Sequence, residues 1–205
     1  METFTTLTGR AAPLLIPNID TDVIIRIERL SGVPRAELGR YAFEALRYRP
    51  DGSEDPAFVL NESVFRGAPI VLAGPNFGCG SSREAAVWAL MGLGIRCVIA
   101  PSFGDIFYGN CVQNGVLPVV LDEPALQVVT QASRADRTVT VDLVQQLVSV
   151  EGSTPLPFEI DTLRREQLIA GLDAIDLALL DLPAIQSWQN ADRARRPWIW
   201  SPVRK

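Results

Sequence analysis

Residues 69–100 read PIVLAGPNFGCGSSREAAVWALMGLGIRCVIA. An apolar run, Pro69–Ala73, leads through a glycine turn into Ser82–Met91, a stretch without glycine or proline that Gly92 and Gly94 end before a second apolar run, Ile95–Ala100. The pattern predicts strand, helix, strand. The order repeats downstream. Phe103, Ile106, Phe107 and Cys111 recur at helical spacing, Asn114-Gly115 supplies a stop, and VLPVVL at 116–121 reads as a third strand. Strands that are apolar at successive positions need both faces covered, so the expectation is an α/β fold, a parallel sheet flanked by helices.

Upstream, PLLIPNIDTDVIIRIERL (13–30) carries short β-branched runs broken by Pro13, Pro17 and the NIDTD cluster, as expected of strands joined by turns. The next stretch, 31–56, has a middle able to form one amphipathic helix between the breakers Gly32-Val33-Pro34 and Pro50-Asp51-Gly52. Downstream, a helix is expected at Pro124–Ser133, strands at TVTVDL and QLVSV around a tight connection, a strand near PLPFEI, and a helix from Thr162 to about Gly171. The tail DRARRPWIWSPVRK shows no clear period. With no internal repeat and no convincing linker, residues 1–205 read as a single domain.

Composition removes whole classes of chemistry. The chain has no histidine, and its one lysine is Lys205. Ser-His-Asp and Cys-His nucleophiles, His-ligated metals, Schiff-base lysines and phosphate-loop lysines are therefore excluded from the body of the chain. Cys79, Cys97 and Cys111 are odd in number and widely spaced, which indicates neither a disulfide framework nor a self-contained iron–sulfur site. Cys97 and Cys111 read as core residues. A net charge of −5, from 19 basic and 24 acidic residues, argues against nucleic-acid and anionic-membrane binding. No basic leader precedes an apolar core at the N-terminus, and no run approaches the ~20 apolar residues of a membrane span. The expected address is cytoplasmic.

What remains is the turn NFGCGSSRE, residues 76–84. Gly78 and Gly80 permit backbone angles and approaches that a Cβ obstructs. Ser81 and Glu84 stand at capping-box spacing, so the helix is expected to open here with free amides outward, a place that attracts anions. Arg83 adds a planar fork suited to a carboxylate. The competing account makes Ser81 a simple cap and places Arg83 on a solvated face. Neither the dinucleotide fingerprint nor the G-x-S-x-G elbow is matched, since a bulky arginine fills the third glycine's place and the triad histidine is missing.

NFGCGSSRE, IRCVIA and APSFGDIFYGNCVQNGVLPVVL, in order with NIDTDVII, FEALRY, FVLN and GLDAIDLAL, resemble the small subunits of 3-isopropylmalate dehydratase in the aconitase superfamily, and the likeness covers most of the chain. The resemblance implies a swivelling β/β/α fold like the C-terminal domain of aconitase. It also implies a large partner subunit holding a 4Fe-4S cluster, no cofactor bound by this chain, and a hydroxy-dicarboxylate substrate. The implied reaction is loss of water from 2-isopropylmalate and its return at the neighbouring carbon, in leucine biosynthesis. Carried over, Ser81 becomes the base that removes the carbon-bound proton, while Ser82 and Arg83 hold substrate carboxylate. Asp22 orients that shell, although turn capping explains the Asp20-Thr21-Asp22 cluster equally well. Cys79 takes a structural place between its glycines.

Between Arg26 and Arg49, six arginines face three glutamates. Such an excess steers a dianion, or it forms a solvated face. The resemblance makes this the loop that sets substrate choice, with Arg26, Arg29 and Arg35 as candidates. Two departures stand out: Ala85-Ala86-Val87 replaces the usual H-A-P after S-R-E, and Ile25-Arg26-Ile27 replaces the usual I-P-K. They leave open another substituted malate as substrate (dimethylmalate, methylmalate or homoaconitate) or a non-catalytic anion-binding paralogue.

Overall fold

The computed structural model describes residues 1–200. They cluster into two compact units, Met1–Gly171 and a second beginning at Leu172.

The first unit is built on the expected parallel sheet. Strands β1 (Thr6–Gly9), β2 (Ala11–Leu14), β3 (Ile70–Ala73), β4 (Cys97–Ala100) and β5 (Leu117–Val120) come first. Of these, β2-β3-β4-β5 pair in that order, parallel throughout. A second sheet, β1-β6-β7-β8, is antiparallel and adds β6 (Val139–Asp142), β7 (Leu147–Val150) and β8 (Leu156–Pro157).

Side-chain alternation divides the parallel strands between two cores. Val71, Ala73, Val98 and Ala100 point to one, with helix α3 (Glu84–Gly92). Ile70, Leu72, Cys97 and Ile99 point to the other, shared with helix α5 (Glu123–Arg134) and the antiparallel strands. That is why these runs are apolar at every position. On β6, by contrast, Val139 and Val141 are buried and Thr140 is not, as suits a sheet with one wet face.

Helix α4 (Asp105–Gln113) and helix α6 (Thr162–Ala170) lie where expected, and α6 closes on Gly171 in the left-handed region. Exposed Ile106 departs from the apolar face expected of α4.

Three expectations are corrected. Residues 21–24 are not a strand but one helical turn, α1 (Thr21–Ile24), because the Asp20 side chain accepts from the Val23 amide and caps it. The stretch 31–56 is not one helix. It forms a 3-10 helix at Arg35–Tyr41, then α2 (Glu44–Arg47), separated by Phe43 at φ 55°. Phe43 is completely buried and its amide donates to the Ile24 carbonyl, so burial overrides helical periodicity here. Third, no Ser81/Glu84 capping box forms. Arg83 is the N-cap of α3 and its guanidinium has no acceptor to offer the helix amides, while the Glu84 carboxylate accepts from Asn114.

The second unit contains helices the sequence did not reveal, α7 (Ala174–Leu180) and α8 (Leu182–Arg195), followed by a 3-10 turn at Pro197–Ile199. The tail lacks a period partly because Asp192 is buried on α8, bonded by Arg195, Arg196 and the Trp200 indole. Ser201–Lys205 of that tail lie outside the described residues.

The 3-10 helix crosses α3 at a glycine pair. A Cβ on Gly39 would lie 2.3 Å from the Gly92 carbonyl carbon, whereas one on Gly109 in α4 would meet nothing within 4 Å. Gly39→Ala is therefore expected to cost about 1–3 kcal/mol as overpacking. Gly109→Ala should gain about 0.5–1 kcal/mol by restricting the unfolded helix segment. Urea denaturation that ranks the two substitutions the other way round would refute this crossing.

Candidate active site

Three loops leave the carboxyl ends of β2, β3 and β4 and are laced to one another. The Gly78 amide donates to the Ile19 carbonyl at 2.7 Å and the Thr21 amide to the Cys79 carbonyl at 3.0 Å, a parallel bridge between the first and second loops. The Phe77 amide donates to the Ser102 carbonyl at 3.1 Å, and the Gly104 amide returns to the Phe77 carbonyl at 2.9 Å, joining the second to the third. Phe77 is the anchor of this lacing: fully buried, with its ring edge-on to Phe107 at 5.5 Å. Gly78 follows at φ 72°, where a Cβ would lie 2.2 Å from the Phe107 ring. Only glycine satisfies both constraints. At the rim, the Asn76 amide group donates to Asn18 Oδ1 at 2.9 Å.

The predicted residues divide into two groups. Ser81 and Ser82 are exposed between this lacing and the first turn of α3. Buried Thr21 holds them from below, its hydroxyl donating to the Ser81 carbonyl at 2.9 Å. The Arg83 side chain is only 14% exposed and forms an ion pair with Asp22, which is half exposed. Asp22 thus joins Arg83, as expected, while Asp20 is occupied in capping α1. Among the described residues, no acceptor meets the Glu84 and Ala85 amides, which leaves the positive end of the nine-residue α3 open beside the two serines. Two hydroxyls, a largely enclosed guanidinium and a helix mouth are the kinds of donor that suit a carboxylate.

The other candidate arginines are engaged with different partners. Arg26 is exposed, pairs with Glu28 at 3.5 Å, and lines a cleft of about 680 Å³ with Tyr41, Glu44 and Tyr48. In that region the Arg29 hydrogen bond holds the Glu44 carboxyl below its ordinary range. Arg35 lies 4.4 Å from the centre of the Trp88 ring and donates to Asn114 Oδ1 at 3.0 Å. Sequence reasoning passed over Asn114 and Trp88 as partners in this region, and named Thr21 only within the Asp20-Thr21-Asp22 cluster. Asn114-Gly115 carried a signal, but it reads equally as a helix stop.

Cys97 and Cys111 are buried, and burial pushes both thiols up, away from the thiolate a metal would need. Among the described residues, no three His, Cys, Asp or Glu side chains gather as a metal site, and no helix is long and apolar enough to cross a membrane.

Comparison with known proteins bears on this geometry. The aconitase C-terminal domain family matches residues 1–124. The 3-isopropylmalate dehydratase small subunit of Cereibacter sphaeroides is 47% identical over 201 residues, covering 97% of this chain and all of that protein. The chain belongs to this family. Its counterpart in Xanthobacter autotrophicus is 49% identical over the same length. The crystal structure of 3-isopropylmalate dehydratase from Methanocaldococcus jannaschii superposes with a TM-score of 0.66 at 30% identity, covering 90% of this chain and 99% of that one. Two sheets with flanking helices are therefore the family fold, as the sequence predicted. Ala85, at the position expected to carry histidine, is 6% exposed and packed in the first core, whereas the serines face solvent.

Thr21→Val keeps the buried shape and removes the bond to the Ser81 carbonyl. A loss of about 0.5–1.5 kcal/mol in urea unfolding is expected, the net worth of one such bond. Unchanged stability would show that the Thr21 hydroxyl does not hold the serine loop.

Proposed function

We infer that this chain is the small subunit of a 3-isopropylmalate dehydratase, the activity for which its relatives are named. The enzyme interconverts 2-isopropylmalate and 3-isopropylmalate by removing water and returning it at the neighbouring carbon, a step of leucine biosynthesis. The observation that carries this reading is the enclosed Arg83–Asp22 pair beside exposed Ser81 and Ser82 at the open end of α3.

In this assignment Ser81 takes the proton from carbon. A serine hydroxyl is a weak base, so the developing alkoxide needs donors nearby, and the open amides at the start of α3 are of that kind. Ser82 and Arg83 grip a substrate carboxylate, the fork of Arg83 fixing its plane. Asp22 keeps that fork oriented while leaving it further donors to share. Arg26 and Arg35 add positive charge that attracts a dianionic malate.

The described residues of this chain do not fit an iron–sulfur cluster, since burial favours the protonated form of Cys97 and Cys111 and no third ligand among the described residues gathers with them. A 4Fe-4S cluster belongs to the large subunit in this reading, and would supply a Lewis acid for the departing hydroxyl. Both serines being exposed supports a site completed by a partner. The replacement at Ala85 favours testing dimethylmalate, methylmalate and homoaconitate beside 2-isopropylmalate.

In the reconstituted two-subunit enzyme, Ser81→Ala is expected to lower kcat by about 10²–10⁴, the usual contribution of a positioned acid or base, with assembly intact by gel filtration. A rate like that of the unmodified enzyme would remove Ser81 as the base. Arg83→Lys should raise KM about tenfold or more, because an ammonium cannot make a two-point grip. An unaltered KM would remove Arg83 from carboxylate binding.

A further inference from the structure

Asn114 ends α4 with its side chain enclosed, at 8% exposure, and every hydrogen-bonding position of its amide occupied. Oδ1 accepts from Arg35 Nη2 at 3.0 Å and from the Trp88 indole at 3.0 Å. Nδ2 donates to Glu84 Oε1 at 2.8 Å and to the Asn110 carbonyl at 2.9 Å. Two donors and two acceptors are all that an asparagine amide has. The orientation is also forced: a flipped amide would set its NH₂ against a guanidinium and an indole N–H, and its oxygen against a carboxylate. No aspartate or leucine of the same size meets all four demands.

We propose that Asn114 is a positioning residue for the carboxylate site, a role that rests on the function assigned above. Glu84 is the first residue of α3 and the neighbour of Arg83, so gripping its side chain holds the mouth of the helix at the angle that presents Arg83 and the open amides. The same amide fixes the Arg35 guanidinium over Trp88, tying the arginine-rich segment 26–41 to that mouth. The absent capping box has its reason here. The Glu84 carboxylate is held by a distant amide and does not reach back to the Ser81 N–H, as a capping box requires.

The test swaps donor and acceptor across the link in the reconstituted two-subunit enzyme. Asn114→Asp sets a carboxylate against Glu84; Glu84→Gln keeps an acceptor for Asn114; the double variant restores one donor and one acceptor. For Asn114→Asp, KM is expected to rise about tenfold with kcat within about threefold, and amides 81–88 to exchange hydrogen about tenfold faster. The double variant should recover most of both changes. If it remains as impaired as Asn114→Asp in both readouts, or if Asn114→Asp changes neither, the proposal fails. Should Asn114→Asp not fold, Glu84→Ala severs the same link at an exposed position, and unaltered exchange in that variant overturns the proposal. Loss of the assigned substrate is seen separately, as an unmodified enzyme that does not turn over 2-isopropylmalate, while the exchange comparison still decides the role of Asn114.

Discussion

The lacing of the loops at the carboxyl ends of β2, β3 and β4 is the constraint on which the site depends. Backbone amides and carbonyls of Ile19, Phe77, Gly78 and Ser102 satisfy one another there, in a place where the sheet's own ladder has ended. The buried Phe77 ring and the glycine after it leave the chain one path. That path delivers Ser81 and Ser82 to the surface and brings Arg83 back under cover within two residues.

Burial of Arg83 has a consequence for binding. A guanidinium at 14% exposure is weakly screened, so each bond it makes to a carboxylate counts for more than at the open surface. It also needs a counter-charge when no substrate is present. Asp22 meets that need from the half-exposed side, near enough to orient the fork and wet enough to be shared. The serines, by contrast, are exposed, and under the proposed function the cover that excludes water comes from a partner.

Much of this was legible in the residues. Continuous apolar runs separated by glycine stops read as buried strands and helices of one α/β unit with a parallel sheet, which is the sheet the fold contains. The absence of histidine and the single terminal lysine narrow the chemistry to Ser, Asp, Glu, Cys, Tyr, Arg or backbone amides. Less legible was the segment 13–56. Its β-branched and amphipathic patterns are real, yet a capped turn at Thr21–Ile24 and a left-handed, buried Phe43 replaced the expected strand and helix. Local pattern yields where a tertiary contact is stronger than propensity.

Sequence alone determined the alternation of strand and helix, the two-faced burial of the parallel sheet, the placement of a glycine turn before α3, and the family. All of these follow from periodicity and residue type, which are local properties. Only the tertiary structure decided what each side chain at the turn does. Ser81 spacing suggested a cap for α3, and Glu84 its partner; the folded chain instead gives Glu84 to Asn114, thirty residues away, and Asp22 to Arg83. A hydrogen-bonding group takes whichever partner the packed fold brings within reach, and no spacing along the chain records that distance.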